Sequence, residues 1–173
     1  MKIRQKGYTL IELIMAVSLL IIVMVGGTAI FYRSFRSSGV SDIQSTLSSG
    51  LRSIDEMIEW SLRYGEVVRI DDNWRTNCLA SGDEGVTGNT LVVRNSTGGN
   101  VTYSLNNGRI ASDSAVISNA NLMINKLEFS WFCRSGVNDK INLYIEASPL
   151  TESGEVTKSI FNKDINLLNS GIN

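Results

Sequence analysis

A long uncharged segment constrains the fold of this chain more than any other feature. Between Leu13 and Tyr32, 20 consecutive residues carry no charge, and most of them are apolar. About 20 such residues in a helix span the hydrocarbon core of a bilayer. The rest of the 173-residue chain is polar and rich in Gly and Asn. We therefore predict a membrane-spanning helix followed by one soluble domain.

The residues before this segment are basic. Lys2, Arg4 and Lys6 precede it. A secretory signal peptide has an apolar core of 7–15 residues and a small-residue cleavage site, but this run is longer and continues into Arg33 without such a site. A plain signal anchor fits the length, and its basic flank would keep the N-terminus in the cytoplasm. In a third interpretation, proteolysis removes the basic flank.

An acidic residue, Glu12, separates the last two interpretations. A carboxylate at the start of a bilayer segment is costly unless it has a partner. Cleavage after Gly7 would create a positive α-amino group at Tyr8, about one helical turn before Glu12. Pairing within one chain, or between neighbouring chains in a filament, would offset much of the cost of burying these charges. A plain anchor gives Glu12 no such partner.

The segment that contains Glu12 matches a known signal. Gly7-Tyr8-Thr9-Leu10-Ile11-Glu12-Leu13-Ile14 closely resembles the class III signal of type IV prepilins and type II secretion pseudopilins. The resemblance implies that a prepilin peptidase cuts after Gly7, that Tyr8 is then N-methylated, and that Glu12 acts in assembly.

Two features depart from the usual pattern of that family. Tyr8 stands where Phe is usual, and the midpoint of the predicted helix, near Ala29, lacks the proline often found there. Gly26 and Gly27 could provide the weak point instead, since each glycine costs a helix up to about 1 kcal/mol.

A second helical pattern follows the apolar segment. Apolar residues recur at steps of four, four, three, four and four, which indicates one buried stripe. Ser41 or Asp42 is a suitable N-cap, and Gly65 would end the helix. Gly39 and Gly50 would bend or loosen this second helix. The membrane-spanning helix and the second helix could then form one long, kinked element. The stripe consists of Ile43, Leu47, Leu51, Ile54, Ile58 and Leu62.

The remainder of the chain has β patterns. The loops Ser96–Asn100 and Asn106–Gly108 predict two hairpins, and Trp131-Phe132 and Leu143–Ile145 are expected in central strands. The predicted class is α+β: a long N-terminal hydrophobic helix continues into an amphipathic helix packed on an antiparallel β-sheet, as in pilins. The predicted strands are Glu66–Ile70, Leu91–Val93, Val101–Leu105, Arg109–Ala111, Leu122–Cys133, Lys140–Ala147 and one or two within Val156–Leu168.

The order of elements is similar to that of J-type pseudopilins and W-type minor pilins, including the ending Asp164–Asn169. Major pilins usually close a C-terminal loop with two late cysteines, and Cys78 and Cys133 are placed differently. This difference favours a minor component. The two cysteines could form a disulfide outside the cytoplasm or remain reduced thiols.

The sequence offers little material for catalysis. It has no histidine, which removes the commonest general base and transition-metal ligand. We predict no enzyme activity and no cofactor. The sequence has three acidic pairs. Two of them, within Asp71–Asn73 and Ser81–Gly85, lie in predicted loops and could bind Ca²⁺ through oxygen ligands, but neither has EF-hand spacing. We interpret all three pairs as solvated charge with no metal site. They are Asp55-Glu56, Asp71-Asp72 and Asp83-Glu84.

Aromatic and basic residues suggest an alternative partner. Together they could form a surface on which nucleic acid bases stack; in the opposing interpretation Trp60 and Trp131 lie in the core. The net charge of −1 does not call for nucleic acid. The residues are Trp60, Trp74 and Trp131 with Arg63, Arg69, Arg75 and Arg134.

The resemblance leads to one primary hypothesis. Residues 1–7 are a cleaved leader, residues 8–35 a transmembrane and filament-core helix, and residues 36–173 a globular head. The protein is expected to be a minor pilin or pseudopilin, anchored in the inner membrane with its head outside the cytoplasm. Its partners would be the prepilin peptidase and other pilins or pseudopilins, through the N-terminal helix. The alternatives are a tip adhesin or DNA-binding pilin, and a signal-anchored extracytoplasmic binding domain, sensor or enzyme.

Overall fold

The computed structural model describes residues 9–150 and 158–168. The chain divides into two compact units with a boundary between Gln44 and Ser45. Gly7 and Tyr8, the predicted cleavage site, lie outside the described residues, as does the start of the predicted strand region Val156–Leu168.

One long helix, α1, runs from Leu10 to Tyr64 and contains 55 residues. The prediction that the anchor and the amphipathic helix form a single element is confirmed. The predicted N-cap at Ser41 or Asp42 is wrong, because the helical backbone passes through both residues without a break. A cap side chain is needed only where the backbone N–H groups of a helix begin without carbonyl partners.

In the first unit, the helix exposes its apolar side chains on all sides. The segment Leu10–Phe35 has 26 residues, a mean hydropathy of 2.6 and no buried residue. At about 1.5 Å per residue it is roughly 39 Å long, which is enough to cross a hydrocarbon core of about 30 Å. Its hydroxyl groups bond to the helix itself, with Ser18 Oγ donating to the Ile14 carbonyl at 2.7 Å and Thr28 Oγ1 to the Met24 carbonyl at 3.0 Å. Such bonds satisfy polar groups that have no water nearby.

In the second unit, the amphipathic stripe of α1 is the centre of the core. Five of its six predicted residues are at most 3% exposed, and the sixth, Ile43, has a side chain outside the described set. The predicted helix end at Gly65 is confirmed. The buried residues of the stripe are Leu47, Leu51, Ile54, Ile58 and Leu62.

Gly65 is required by close packing. A Cβ atom on this residue would lie 2.5 Å from Val93 Cγ1 and 2.7 Å from the Arg94 carbonyl oxygen. The first strand after the helix pairs with the strand that contains Val93 and Arg94. Since a side chain at position 65 would push this strand away, glycine lets the chain turn directly from helix to sheet.

The head contains two antiparallel sheets, where the sequence predicted one. The first has six strands in the order β2-β1-β4-β5-β6-β7, and the second has four in the order β10-β9-β8-β3. All strand pairs are antiparallel, so the predicted α+β class is confirmed. The strands are β1 Glu66–Ile70, β2 Asn73–Trp74, β3 Val86–Gly88, β4 Leu91–Arg94, β5 Asn100–Asn106, β6 Arg109–Ser112, β7 Ala115–Val116, β8 Leu122–Phe132, β9 Lys140–Pro149 and β10 Ser159–Asn166.

The longer predicted strands and both hairpins are present. Strands β4 and β5 pair across the loop at Ser96–Asn100, and β5 and β6 pair across Asn106–Gly108. The two strands expected to be central, β8 and β9, are the inner strands of the four-stranded sheet. Their inward residues include Phe129, Trp131 and Leu143, none of which is exposed.

The structure also contains elements that the sequence did not predict. Between β2 and β3 the chain forms a six-residue helix α2, Arg75–Ala80, and a short 3₁₀ helix, Gly82–Glu84. Strand β3 then pairs with the end of β8, with Gly88 opposite Phe129 and Val86 opposite Trp131. The segment between β2 and β4 therefore leaves the first sheet and contributes an edge strand to the second.

Candidate functional site

The helix α1 begins with a hydrogen-bonded cap at the predicted processing motif. Thr9 precedes the first helical residue, Leu10, and Glu12 is the third residue of the helix. The Thr9 backbone N–H and Thr9 Oγ1 each donate to Glu12 Oε2 at 3.2 Å. In return, the Glu12 backbone N–H donates to Thr9 Oγ1 at 3.4 Å. This reciprocal pattern is a capping box.

The capping box fixes the position of the Glu12 carboxylate. Its Oε2 atom is turned back toward the start of the helix, where the partial positive charge of the helix dipole stabilises an anion. Within the described residues, Oε1 accepts no hydrogen bond. An ionised carboxylate can accept at both oxygens, so Glu12 can bind a further donor at the end of the helix. The capping signal Thr-x-x-Glu is present in the sequence at Thr9 and Glu12, but the only partner predicted for Glu12 was the amine of Tyr8.

A comparison with known protein families matches this same segment. Residues 2–28 match the prokaryotic N-terminal methylation motif. This match supports a type IV pilin-like protein. The motif identifies a class III prepilin signal and points to a structural subunit of the pilin and pseudopilin class. Together with the exposed apolar helix Leu10–Phe35, it describes a membrane-anchored, pilus-associated protein.

The match does not extend to the head. No curated protein and no solved structure shows significant similarity to the chain.

The two cysteines of the head form a disulfide, which is one of the two alternatives that the sequence left open. Cys78 lies in α2 and Cys133 follows the last residue of β8. They are bonded across a sequence separation of 55 residues, with a Cα–Cα distance of 5.6 Å. Both are at most 1% exposed. The bond ties α2 to the end of β8, an inner strand of the second sheet.

The acidic pairs have structural partners. Asp71 has a positive φ of 47°, and its carboxylate accepts hydrogen bonds from the backbone N–H groups of Asn89 and Thr90 at 3.1 and 2.9 Å. Asp83 accepts from Arg134 at 2.6 Å. Across the described residues, no group of three or more His, Cys, Asp or Glu side chains is placed to hold a metal ion.

The proposed base-stacking surface is not assembled in the head. Trp131 is fully buried, whereas Trp60 and Trp74 are exposed. Each of the four arginines has a carboxylate within 4.0 Å, which offsets the charge that a phosphate would need. The pairs are Arg63–Glu59, Arg69–Asp72, Arg75–Asp139 and Arg134–Asp83.

A cluster of charges joins α1 to the edge strand β10. Lys163 Nζ donates to Asp55 Oδ2 and to Glu59 Oε2, each at 2.7 Å. Hydrogen bonds to these two carboxylates raise the pKa of Lys163. The hydrogen bond from Lys163, followed by the one from Arg63, lowers the pKa of Glu59. The cluster holds the C-terminal strand on the helix.

Proposed function

We propose that this protein is a minor pilin or pseudopilin of a type IV pilus-like filament. A prepilin peptidase removes residues 1–7, Tyr8 becomes the N-methylated first residue, and residues 8–35 anchor the chain in the inner membrane. The head, residues 36–173, lies outside the cytoplasm, which agrees with its buried disulfide. Assembly then transfers the helix from lipid to a bundle of neighbouring helices.

The observation that supports this proposal is the geometry of Glu12 inside the methylation motif. Its Oε2 is held by Thr9. Its Oε1 accepts no hydrogen bond from the described residues, so it can accept one from a donor beyond the start of the helix. In the processed chain, the donor is the positive amine of Tyr8, in the same subunit or in a neighbour. The pairing neutralises both charges in an apolar environment and sets the axial position of the subunit.

The first test is the N-terminus of the protein isolated from its native membrane. Mass spectrometry should find a chain that begins at N-methylated Tyr8. The Gly7→Ala variant should accumulate as the uncleaved precursor. A wild-type chain that retains residues 1–7 would contradict the processing step and the function that depends on it.

Two substitutions at Glu12 separate its charge from its capping role. Glutamine can also close a capping box at this position, so Glu12→Gln keeps the helix start but lacks the charge. Glu12→Ala loses both. Both variants should be cleaved normally, and both should fail to enter filaments. If Glu12→Gln assembles as well as the wild type, Glu12 acts by capping alone.

A further inference from the structure

Strand β10 forms one edge of the second sheet. It pairs with β9 on one side, and no strand that the structure describes pairs with it on the other. An edge strand presents backbone N–H and C=O groups that a further strand can bond, so proteins commonly keep such edges short or cover them. The other edge strands of the head, β2, β3 and β7, have two or three residues each. Strand β10 has eight.

The side chains of β10 alternate between the two faces of the sheet. Lys163 lies opposite the buried Leu143 of β9 and reaches α1 on the inner face. Phe161 is on the same face, whereas Ile160 is on the outer face and is 63% exposed. Residues that lie opposite each other on paired strands share a face. A strand added beside β10 would therefore turn every second side chain toward α1.

A groove of about 450 Å³ lies between this edge and α1. One wall is the start of β10, residues 159–161, and the other includes Leu51, Arg52 and Asp55 of α1. We call it the β10 groove. Its lining mixes the apolar side chains of Leu51, Ile160 and Phe161 with polar groups. Binding sites commonly combine an apolar lining with a few polar groups in fixed positions.

The β10 groove contains a carboxylate that is only half satisfied. Asp55 is 5% exposed, and its Oδ2 accepts a hydrogen bond from Lys163 at 2.7 Å. Its Oδ1 is buried and accepts no hydrogen bond from the described residues. A buried acceptor without a donor is costly. A small turn of the carboxylate would let a donor in the groove bond it.

The charges around the β10 groove are matched within the chain. Arg52 pairs with Glu56 at 3.1 Å, and Lys163 lies 2.7 Å from both Asp55 and Glu59. A charged ligand would bring a further charge that has no partner, and burying such a charge is costly. The groove therefore favours a ligand whose hydrogen-bond donors are uncharged.

We propose that the β10 groove binds an extended peptide segment of a partner protein, which joins the second sheet as a further strand. The free edge of β10 indicates a peptide, because another backbone offers donors and acceptors at the spacing that the edge repeats. An amide or hydroxyl side chain at an inward position would donate to Asp55. An apolar side chain at an outward position would cover Ile160. The proposal concerns the head alone and does not rest on the filament function.

The first test measures the binding of three fluorescent seven-residue peptides to the full chain in detergent, by fluorescence anisotropy. A peptide that alternates Val and Asn should bind saturably. The same peptide with Pro at its centre should bind about 10-fold more weakly, because proline has no N–H for the backbone ladder. A peptide that alternates Val and Ala should also bind about 10-fold more weakly, because it has no side-chain donor for Asp55.

Three results of this test would overturn the proposal. Equal binding of the Val-Asn peptide and its proline version would show that no backbone pairing takes place. Equal binding of the Val-Ala peptide would remove Asp55 from the site. Absence of saturable binding by the Val-Asn peptide would show that the groove takes no added strand, as when another part of this chain covers it.

The second test locates the peptide on the wild-type fold. A photo-crosslinking amino acid in place of Ile160 should attach to the Val-Asn peptide, and one in place of Met123 should not. Met123 is a matched control, since it is an apolar residue of the same sheet and is 47% exposed. Equal attachment at both positions would place the peptide outside the β10 groove and overturn the proposal.

A pair of charge substitutions gives an independent check. Ile160→Lys should weaken binding of the Val-Asn peptide about 10-fold, because the apolar contact at the edge is lost, and Met123→Lys should leave it unchanged. Both variants should unfold at the wild-type midpoint temperature, since both side chains are exposed. Unchanged binding by a folded Ile160→Lys variant would contradict the proposed site.

Discussion

Removal of the disulfide should strongly destabilise the head. The bond between Cys78 and Cys133 closes a loop of 55 residues. The chain-entropy relation assigns about 4 kcal/mol to a loop of this length at 25 °C. For a domain of this size, each kcal/mol of lost stability lowers the midpoint temperature of thermal unfolding by about 3–5 °C. Reduction should therefore lower the midpoint by roughly 12–20 °C.

The structure gives a physical reason to expect the full effect. Helix α2 has six residues, and isolated helices shorter than about 12 residues are marginal in water. Its attachment depends on the disulfide and on the pair of Arg75 with Asp139. Without the crosslink, the loop from Cys78 to Cys133 gains freedom in the unfolded chain, and in the folded head α2 loses its covalent attachment to the end of β8.

The assay is thermal unfolding of the full chain in detergent, followed by near-UV circular dichroism. Cys78→Ala, Cys133→Ala and the double variant should show nearly equal losses, because any one of them breaks the same bond. The reduced wild type, with both thiols alkylated only after unfolding, is the control for the lost sulfur atoms. Equal midpoints for oxidised and reduced protein would refute the reasoning, and so would two free thiols in the untreated wild type.

The remaining predictions concern the charged clusters of the head. Arg75→Ala should cost about 3 kcal/mol or more in denaturant unfolding, because Asp139 is fully buried and would lose its 3.0 Å partner; a wild-type midpoint would show that its other contacts suffice. Lys163→Met should cost about 1–3 kcal/mol, less than a fully buried pair since its side chain is 35% exposed, whereas Lys158→Met should have no measurable effect. The free energy of unfolding should also depend on pH. The stabilisation from Glu59 should be complete above its ordinary pKa of 4.5 and decline as the pH falls through its lowered folded-state pKa. The stabilisation from Lys163 should be complete below its ordinary pKa of 10.5 and decline as the pH rises through its raised folded-state pKa. Lys163→Met should weaken the loss of stability at both low and high pH. If both losses are unchanged in this variant, the cluster of Lys163 with Asp55 and Glu59 is not their source.

The sequence predicted the parts of this fold that depend on local patterns. The anchor helix follows from an uninterrupted apolar run, and the amphipathic helix from the spacing of Leu47 to Leu62. Strands such as β8 and β9 are long enough to show alternation. The hairpin at Asn106–Gly108 is fixed by Asn107 and Gly108, which both adopt positive φ.

The division into two sheets could not be predicted in the same way. It depends on β8 pairing with β9 and β3 and with no strand of the first sheet. The partner β3 has three residues and lies more than 40 positions before the part of β8 with which it pairs. A three-residue strand has too few positions to show a period. Helix α2 could not be predicted either, because six residues are too few to show a helical period. Cys78 and Arg75 hold these residues in place, and their own helix propensity would not suffice.

The wrong N-cap and the missed capping box have a common physical origin. Ser41 and Asp42 have side chains suited to capping, but a cap forms only where the helix starts, and here α1 continues. Thr9 and Glu12 have the same suitability, and there the helix does start. An N-cap signal therefore predicts the start of a helix only when the residues before it cannot be helical. The anchor helix supplies a full turn before Ser41, and this context overrides the local signal.

The position of Glu12 shows how one side chain can meet two demands that conflict in a membrane. A helix that starts near the bilayer surface leaves four backbone N–H groups without partners, and an apolar surrounding makes each of them costly. The capping box satisfies two of these donors with Thr9 and Glu12 alone. A neutral glutamine could do the same, so the helix start does not explain a charge. The helix dipole stabilises the charge in part, a full cation stabilises it further, and processing after Gly7 would place such a cation about one turn away. The capping geometry and the methylation motif therefore support the same event, in which proteolysis gives a pre-positioned carboxylate its partner.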